Sequence, residues 1–382
     1  MKDKKQYLEG LNSLRFFAAL LVLLGHGRQN LVQYDIMWFN TSPVFYKGDL
    51  AVDFFFVLSG FLLTFLAIKE YKTYHRIDIK QFYLRRIFRV LPLYYLAVFL
   101  AYLLLGVVYP AIKGQTYLAF SIGEGLPYHL LLLPNYVIAR WDDDIGSLYS
   151  LWSIGVEEQY YLFFPLLMGF VLRNNNALAK MVGVTTVVFV LYWLVSKDII
   201  LINNETGKKF LLTMRFHMML IGGVSATLFA CCYEKIARFI ENKPFQLLVW
   251  LIILAVIFYP DADARLELLH GLTFGCLLLI VANKKHRLIN LEIKPFIYLG
   301  SISYGIYIFH PFVSYFLRFL LENTAFTRRA ITSFPILYYL LEVLLSIAVA
   351  HLSYQYYEKY FLRLKSRYGR SSRMEQAEMM KQ

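Results

Sequence analysis

Charge is what this sequence has least of: Asp, Glu, Lys and Arg together make up 17% of 382 residues, below the roughly 25% of an ordinary soluble domain. With 58% hydrophobic residues and a mean hydropathy of +0.50, that scarcity excludes an ordinary soluble enzyme and a disordered chain. Cysteine is nearly absent. Cys231, Cys232 and Cys276 all sit in apolar runs, and adjacent cysteines seldom bond each other, so neither a disulfide framework nor a zinc pattern is present. No low-complexity linker and no obvious internal repeat divides the chain. What remains is one integral membrane domain, 1–360, followed by a basic cytoplasmic tail, 361–382. The first apolar run lacks a small-residue cleavage site and reads as a retained membrane helix rather than a signal peptide.

What is present is a series of apolar runs able to cross a hydrocarbon core of ~30 Å as helices. The expected fold is all-α, a polytopic transmembrane bundle of about ten spanning helices near 11–30, 49–68, 90–109, 150–172, 180–196, 211–232, 245–260, 267–282, 296–320 and 335–358. A short apolar stretch, Pro127 to Ile138, contains Pro134 and runs on to Asp142, Asp143 and Asp144; it reads as re-entrant or interfacial. The net charge of +13 would suggest nucleic acid, but its distribution follows topology instead. With both termini cytoplasmic, 26 of the 39 Lys and Arg fall in inside segments and about nine outside, as the positive-inside rule requires. An eleventh span would put Lys284, Lys285 and Arg287 outside, against that rule. The expected setting is the inner or cytoplasmic membrane, with lipid as a partner and no nucleic acid.

Two cationic side chains, Arg15 and His26, lie inside the first span, where any ionisable group is costly and calls for an explanation. Eleven residues turn a helix by about 1100°, so both side chains leave one face about 16 Å apart along the axis. His26 stands between Gly25 and Gly27, which leave room for a neighbour at the backbone. An imidazole with an ordinary pKa near ~6.5 suits a general base; a histidine that only packs and hydrogen-bonds across the bundle is the alternative.

Four further groups carry polar chemistry into apolar surroundings. Asp53 opens the second span ahead of Ser59 and Gly60, where it can orient an imidazole, balance a cation or simply meet the interface. Arg86 and Arg89 share a helix face at the inner end of the third span, suited to a phosphate ligand or to lipid headgroups. Glu157 and Glu158 enter the fourth span side by side; successive residues point about 100° apart, so at most one faces a given pocket. Later come Arg215 with His217, then Tyr304, Tyr307 and His310 at i, i+3, i+6, and Glu358 at the last inner boundary. The tyrosines and His310 can line a polar cavity or serve the bundle structurally.

Taken in chain order these segments resemble the acyltransferase-3 family of integral membrane acyltransferases. The matching motifs are Leu14-Arg15 with ten residues before His26, the Asp53-Phe-Phe-Phe-Val-Leu-Ser-Gly-Phe61 block and the Arg86-x-x-Arg89 pair. Trp152-Ser-Ile-Gly-Val-Glu157-Glu158-Gln159, the Arg215 segment, Ser303-Tyr304 through Tyr307 to His310, and Glu358 complete the order. Two departures are local: Ala51 stands where the family usually has glycine, and Tyr360 where a proline often follows the terminal glutamate. The chain ends soon after its last span, which resembles the stand-alone form rather than relatives carrying an SGNH hydrolase-like domain.

The resemblance implies acyl transfer from cytoplasmic acyl-coenzyme A, most often acetyl-coenzyme A, to a hydroxyl of a cell-surface or lipid-linked glycan. Under it Arg86 and Arg89 would bind the coenzyme phosphates, and His26 would act as general base or as acyl relay. Arg15 would stabilise the donor or an anionic intermediate, and Asp53 or Glu157 would orient His26. Glu158, Arg215, Tyr304, Tyr307 and His310 would line the substrate cavity. Thiolate leaves readily, so no metal is called for. A transporter of a lipid-linked sugar or polysaccharide is the rival reading, and it lacks the inverted repeat and paired broken helices such proteins show; a membrane sensor without turnover is a third.

Overall fold

The computed structural model describes residues 9–36, 42–114, 118–141, 148–259, 266–284 and 286–367, and among them every regular element is helical. Asp142, Asp143 and Asp144, Lys285 and the tail beyond residue 367 lie outside the described residues. The all-α expectation therefore holds. The chain runs α1 Glu9–Val32, α2 Gly48–Tyr74, α3 Ile79–Leu103, α4 Tyr109–Lys113, α5 Ile122–Leu130 and α6 Pro134–Trp141. It continues as α7 Leu151–Leu172, α8 Ala177–Ser196, α9 Glu205–Thr213, α10 Phe216–Cys231, α11 Tyr233–Ile240 and α12 Lys243–Phe258. The last third comprises α13 Glu267–Ala282, α14 Lys294–Ser301, α15 Ser303–Asn323, α16 Ala325–Ser333, α17 Ile336–Ser353 and α18 Lys359–Arg367.

Helix is the only open architecture that satisfies its own backbone in hydrocarbon, and polar side chains mark where each helix begins. Asp78, Asn204 and Asn242 each accept a hydrogen bond from the backbone amide three residues on, and Ser121 forms a reciprocal capping box with Glu124. The α2–α3 turn is pinned twice by Glu70, which accepts from the Asp78 amide at 2.8 Å and pairs with Arg85 at 3.0 Å. Pro92 lies inside α3 and weakens the ladder there. Beside it the carbonyls of Val90 and Pro92 accept from the Tyr304 and Tyr357 hydroxyls, at 2.9 and 3.1 Å.

By length and apolarity, six helical stretches among the described residues suit a membrane crossing, or eight if each of two bent pairs counts as one span. The bent pairs are α11 with α12, at 75°, and α14 with α15, at 67°. The expected count of ten is not reached on this measure, for two physical reasons. Glu157, Glu158 and Gln159 dilute the apolarity of the 22-residue α7, and α13 has 16 residues, about 24 Å of helix against a core of ~30 Å. The short stretch 127–138 falls on α5 and α6, of nine and eight residues, with Leu132 between them in a left-handed conformation at φ 60°. Neither is long enough to cross. The expected span at 211–232 is likewise divided, by Arg215 at φ 21° between α9 and α10.

The bundle is centred on α2, whose apolar window is 78% buried, whereas that of α8 is 6% buried and presents its apolar side chains outward. Lipid removes the hydrophobic drive between such helices, so cohesion rests on close packing. α2 meets α10 backbone to backbone: a Cβ on Gly60 would lie 1.8 Å from the Met219 carbonyl oxygen, and one on Gly222 1.9 Å from that of Val57. Substituting Gly60 by Val should therefore destabilise the fold by at least about 3 kcal/mol, the upper end of ordinary overpacking. Thermal unfolding in detergent measures this, with Gly169→Ala, whose Cβ would meet nothing within 4 Å, unfolding at the wild-type temperature or above.

Candidate active site

His26 is held by its neighbours on both sides. A Cβ on Gly27 would fall 2.4 Å from Glu342 Oε2, and one on Gly25 3.5 Å from the Gly48 backbone, so α17 and the start of α2 press on α1 at the histidine. Ile302 and Ile306 of the α14–α15 region and Ala350 of α17 pack on Ala19 and Leu23 one to two turns earlier. This seating brings His26 Nδ1 to 2.7 Å from His310 Nε2 on α15, with the rings nearly parallel at 13° and 4.9 Å between centroids. Tyr149 meets His26 edge-on at 5.9 Å.

Two imidazole nitrogens at 2.7 Å need one proton between them: one donates and the other accepts. His310 is fully buried, and its Nδ1 has no hydrogen-bond partner in the structure. Pro311 has no amide hydrogen, so it leaves the Tyr307 carbonyl without its helical donor. Where the shared proton sits on His26 Nδ1, His310 Nε2 accepts it and the remaining nitrogen of His26, Nε2, carries a lone pair.

His26 lines the first of two cavities that have Tyr307 as a common wall. The first, about 120 Å³, is lined by His26, Arg28, Asp49, Tyr149, Trp152 and Tyr307 among others. The second, about 140 Å³, gathers Arg15, Arg86, Arg89, Glu157, Tyr304 and Tyr307 from α1, α3, α7 and α15. Six sequence-selected polar groups, three of them guanidinium groups, thus share one chamber. Within it Tyr161 donates to Glu157 Oε2 at 2.7 Å and accepts from Ser59 at 2.6 Å, while the Arg86 guanidinium lies 5.6 Å from the Tyr161 ring centre. Arg15 bonds Asn12 Oδ1 at 3.0 Å. A third cavity, about 310 Å³, shares Asp49, Tyr149 and Trp152 with the first and reaches Arg215.

Several expected partnerships are redistributed. The hydrogen-bond partner of His26 is His310 rather than Asp53 or Glu157. Asp53 pairs with Arg215 at 2.8 Å, and Glu267 stands 3.9 Å from the other guanidinium nitrogen. Glu158 lines none of the three cavities; its Oε1 is buried without a hydrogen-bond partner, as adjacent carboxylates on one helix demand. His217 is buried beside Tyr192, with Nε2 3.9 Å from Glu267. Sequence reasoning passed over Tyr149, Ser153 and Glu342. An intramembrane glutamate such as Glu342, fully buried and hydrogen-bonded to Ser314, was the signal available in the last span. Among the described residues no group of three or more His, Cys, Asp or Glu is placed to hold a metal ion.

A histidine pair at an aromatic-walled cavity, which shares Tyr307 with an arginine-rich one, is suited to proton transfer. The model of the acyltransferase domain family Acyl_transf_3 matches residues 8–354. The chain belongs to this family. Curated relatives include the O-acetyltransferase OatA of Staphylococcus aureus strains NCTC 8325 / PS 47, COL and MRSA252. Each is 26% identical over 378 residues, covering 92% of this chain and 57% of the relative. The chain thus spans a little over half the length of the curated relatives it matches. No solved structure matches the acyltransferase chain.

Breaking the Asp53–Arg215 pair leaves a charge stranded in the bundle, a loss typically about 3–5 kcal/mol. Asp53→Asn should therefore lower folded yield and unfolding temperature sharply, and the double variant Asp53→Asn with Arg215→Gln should recover part of the loss. Size-exclusion profiles and thermal unfolding in detergent measure both.

Proposed function

We propose that the protein is a membrane O-acyltransferase that moves an acyl group, acetyl in the first instance, from cytoplasmic acyl-coenzyme A to a hydroxyl of a cell-surface or lipid-linked glycan. The single observation that carries this reading is the His26–His310 pair beside a cavity that meets the arginine-lined one at Tyr307. Arg86 and Arg89 are suited to the coenzyme phosphates, through charge-assisted hydrogen bonds that a planar guanidinium makes in pairs. Arg15, in the same cavity, holds the donor end of the path. The names of the relatives support O-acetyl transfer.

In this mechanism the acceptor hydroxyl enters the His26 cavity and gives its proton to His26 Nε2 as its oxygen attacks the thioester carbonyl carbon. His310 keeps the proton on His26 Nδ1, which leaves Nε2 basic and aimed, and shares the positive charge that develops on the ring. The tetrahedral intermediate collapses with loss of the thiolate, which takes the proton back from His26. Glu157, tied to Tyr161, balances the arginines of the donor chamber. The wide acceptor side, with Tyr149 and Trp152 as aromatic walls, suits a sugar ring.

The positive-inside distribution supports a threading with both termini in the cytoplasm, in which all ten expected segments cross, α7 and α13 included, and α5–α6 lie at or re-enter the interface. Arg15 then lies nearer the cytoplasm and His26 about 16 Å further along α1. The arrangement predicts a separation of donor and acceptor effects. In reconstituted protein given isotopically labelled acetyl-coenzyme A, Arg86→Ala with Arg89→Ala should weaken coenzyme binding by about 10- to 100-fold, with folded yield retained. Isothermal titration with coenzyme A measures the first, and mass spectrometry of envelope glycans from cells with and without the chain reads the transferred group. Unchanged coenzyme affinity would assign the arginines to lipid headgroups instead.

A further inference from the structure

Among the described residues only Tyr307 lines both the His26 cavity and the arginine cavity. Its hydroxyl lies 2.7 Å from Ser153 Oγ, and both residues are 7% exposed. Phe55 backs the phenol edge-on, with ring centres 6.0 Å apart. Trp152 faces the His26 side and the next residue, Ser153, faces the arginine side, so the Tyr307–Ser153 hydrogen bond stands on the line between the two chambers. Any acyl chain reaching from the arginines toward His26 passes this phenol.

We propose that Tyr307 is a further catalytic residue: its hydroxyl leaves Ser153 and donates a hydrogen bond to the carbonyl oxygen of the donor thioester. The inference rests on the acyl-coenzyme A reading above. As the acceptor oxygen bonds to the carbonyl carbon and its proton passes to His26 Nε2, the carbonyl π pair moves onto oxygen, and that oxyanion needs a fixed donor. When the pair returns, the C–S bond breaks and the thiolate takes the proton from His26. Arg15 is poorly placed for the task, because it lines only the donor chamber and lies about 16 Å along α1 from His26. Tyr307 stands one helical turn before His310, ring centres 5.7 Å apart, so the oxyanion donor and the group that aims the base ride on one rigid helix. The phenol stays neutral throughout and gives up only its bond to Ser153, whose oxygen lies 3.5 Å from the Ser150 carbonyl, a ready alternative acceptor.

The experiment uses native membrane vesicles that carry the acceptor, with acetyl-coenzyme A as donor, and follows thiol release together with label on the glycan. Tyr307→Phe should lower kcat by about 100- to 1000-fold while leaving the KM for acetyl-coenzyme A and the binding of coenzyme A within about threefold. Ser153→Ala, which keeps the phenol, should lose less than about tenfold. A Tyr307→Phe protein with wild-type kcat overturns the assignment, as does a loss matched by lost folded protein or lost coenzyme binding, which marks a structural role. Undiminished thiol release without glycan labelling overturns it too, in favour of a mere partition. A wild-type protein that binds coenzyme A yet transfers nothing overturns the enzymatic reading itself, a result distinct from all three.

Discussion

An imidazole inside a hydrocarbon layer must find a hydrogen-bond partner, because no water is at hand to supply one. His26 finds it in His310, 284 residues away in the chain, at 2.7 Å. That contact joins the first helix to α15 and leaves Nε2 of His26 outside it. Around it the glycines beside His26 admit α17 and α2 to the backbone of α1. A pair of neutral histidines carries no net charge to be solvated, yet it can accept a proton when chemistry delivers one. This makes it a cheaper proton acceptor to hold inside a bilayer than a histidine–carboxylate pair, whose ionised member pays a desolvation cost.

The helices beyond this contact position charge rather than bury surface. Asp53 and Arg215 neutralise each other where α2 meets α10, and the same helices touch through Gly60 and Gly222, so ion pair and backbone contact hold one interface. Glu70 and Arg85 close the turn that presents Arg86 and Arg89 to the arginine-lined chamber. Tyr304, which lines that chamber, also braces α3 beside Pro92. Few polar groups do one thing only. Among the described residues, buried atoms of Arg86, His129, Glu158, His217, His310 and Glu342 lack a hydrogen-bond partner, so the satisfaction of charge inside the bundle is incomplete.

Much of this was legible in the sequence because apolarity and cost are local properties. The helical class followed from the apolar runs, and the charged residues gathered in the second cavity, Arg15, Arg86, Arg89 and Glu157, were among those whose charge stood out against such runs. The partnerships were not legible. Asp53 and Arg215 are 162 residues apart and His26 and His310 still further, and no spacing rule connects two helices that meet only in space. Two breaks were hidden too: the bend at Ile302 lies inside a stretch expected as one span, 296–320, and Arg215 opens α10 through a backbone conformation that its side chain does not announce. Ser153 and Tyr149 escaped notice because a hydroxyl is cheap enough in a helix to raise no alarm.

The central claim is that His26 and His310 act as one unit, and a double-mutant cycle on acyl transfer tests it most directly. If they share the proton, His26→Ala, His310→Ala and the double variant should each lower turnover by about 100- to 10000-fold, with the double variant no worse than the single ones by more than about threefold. Losses that multiply in the double variant, or a His310→Ala protein that turns over like wild type, would contradict it.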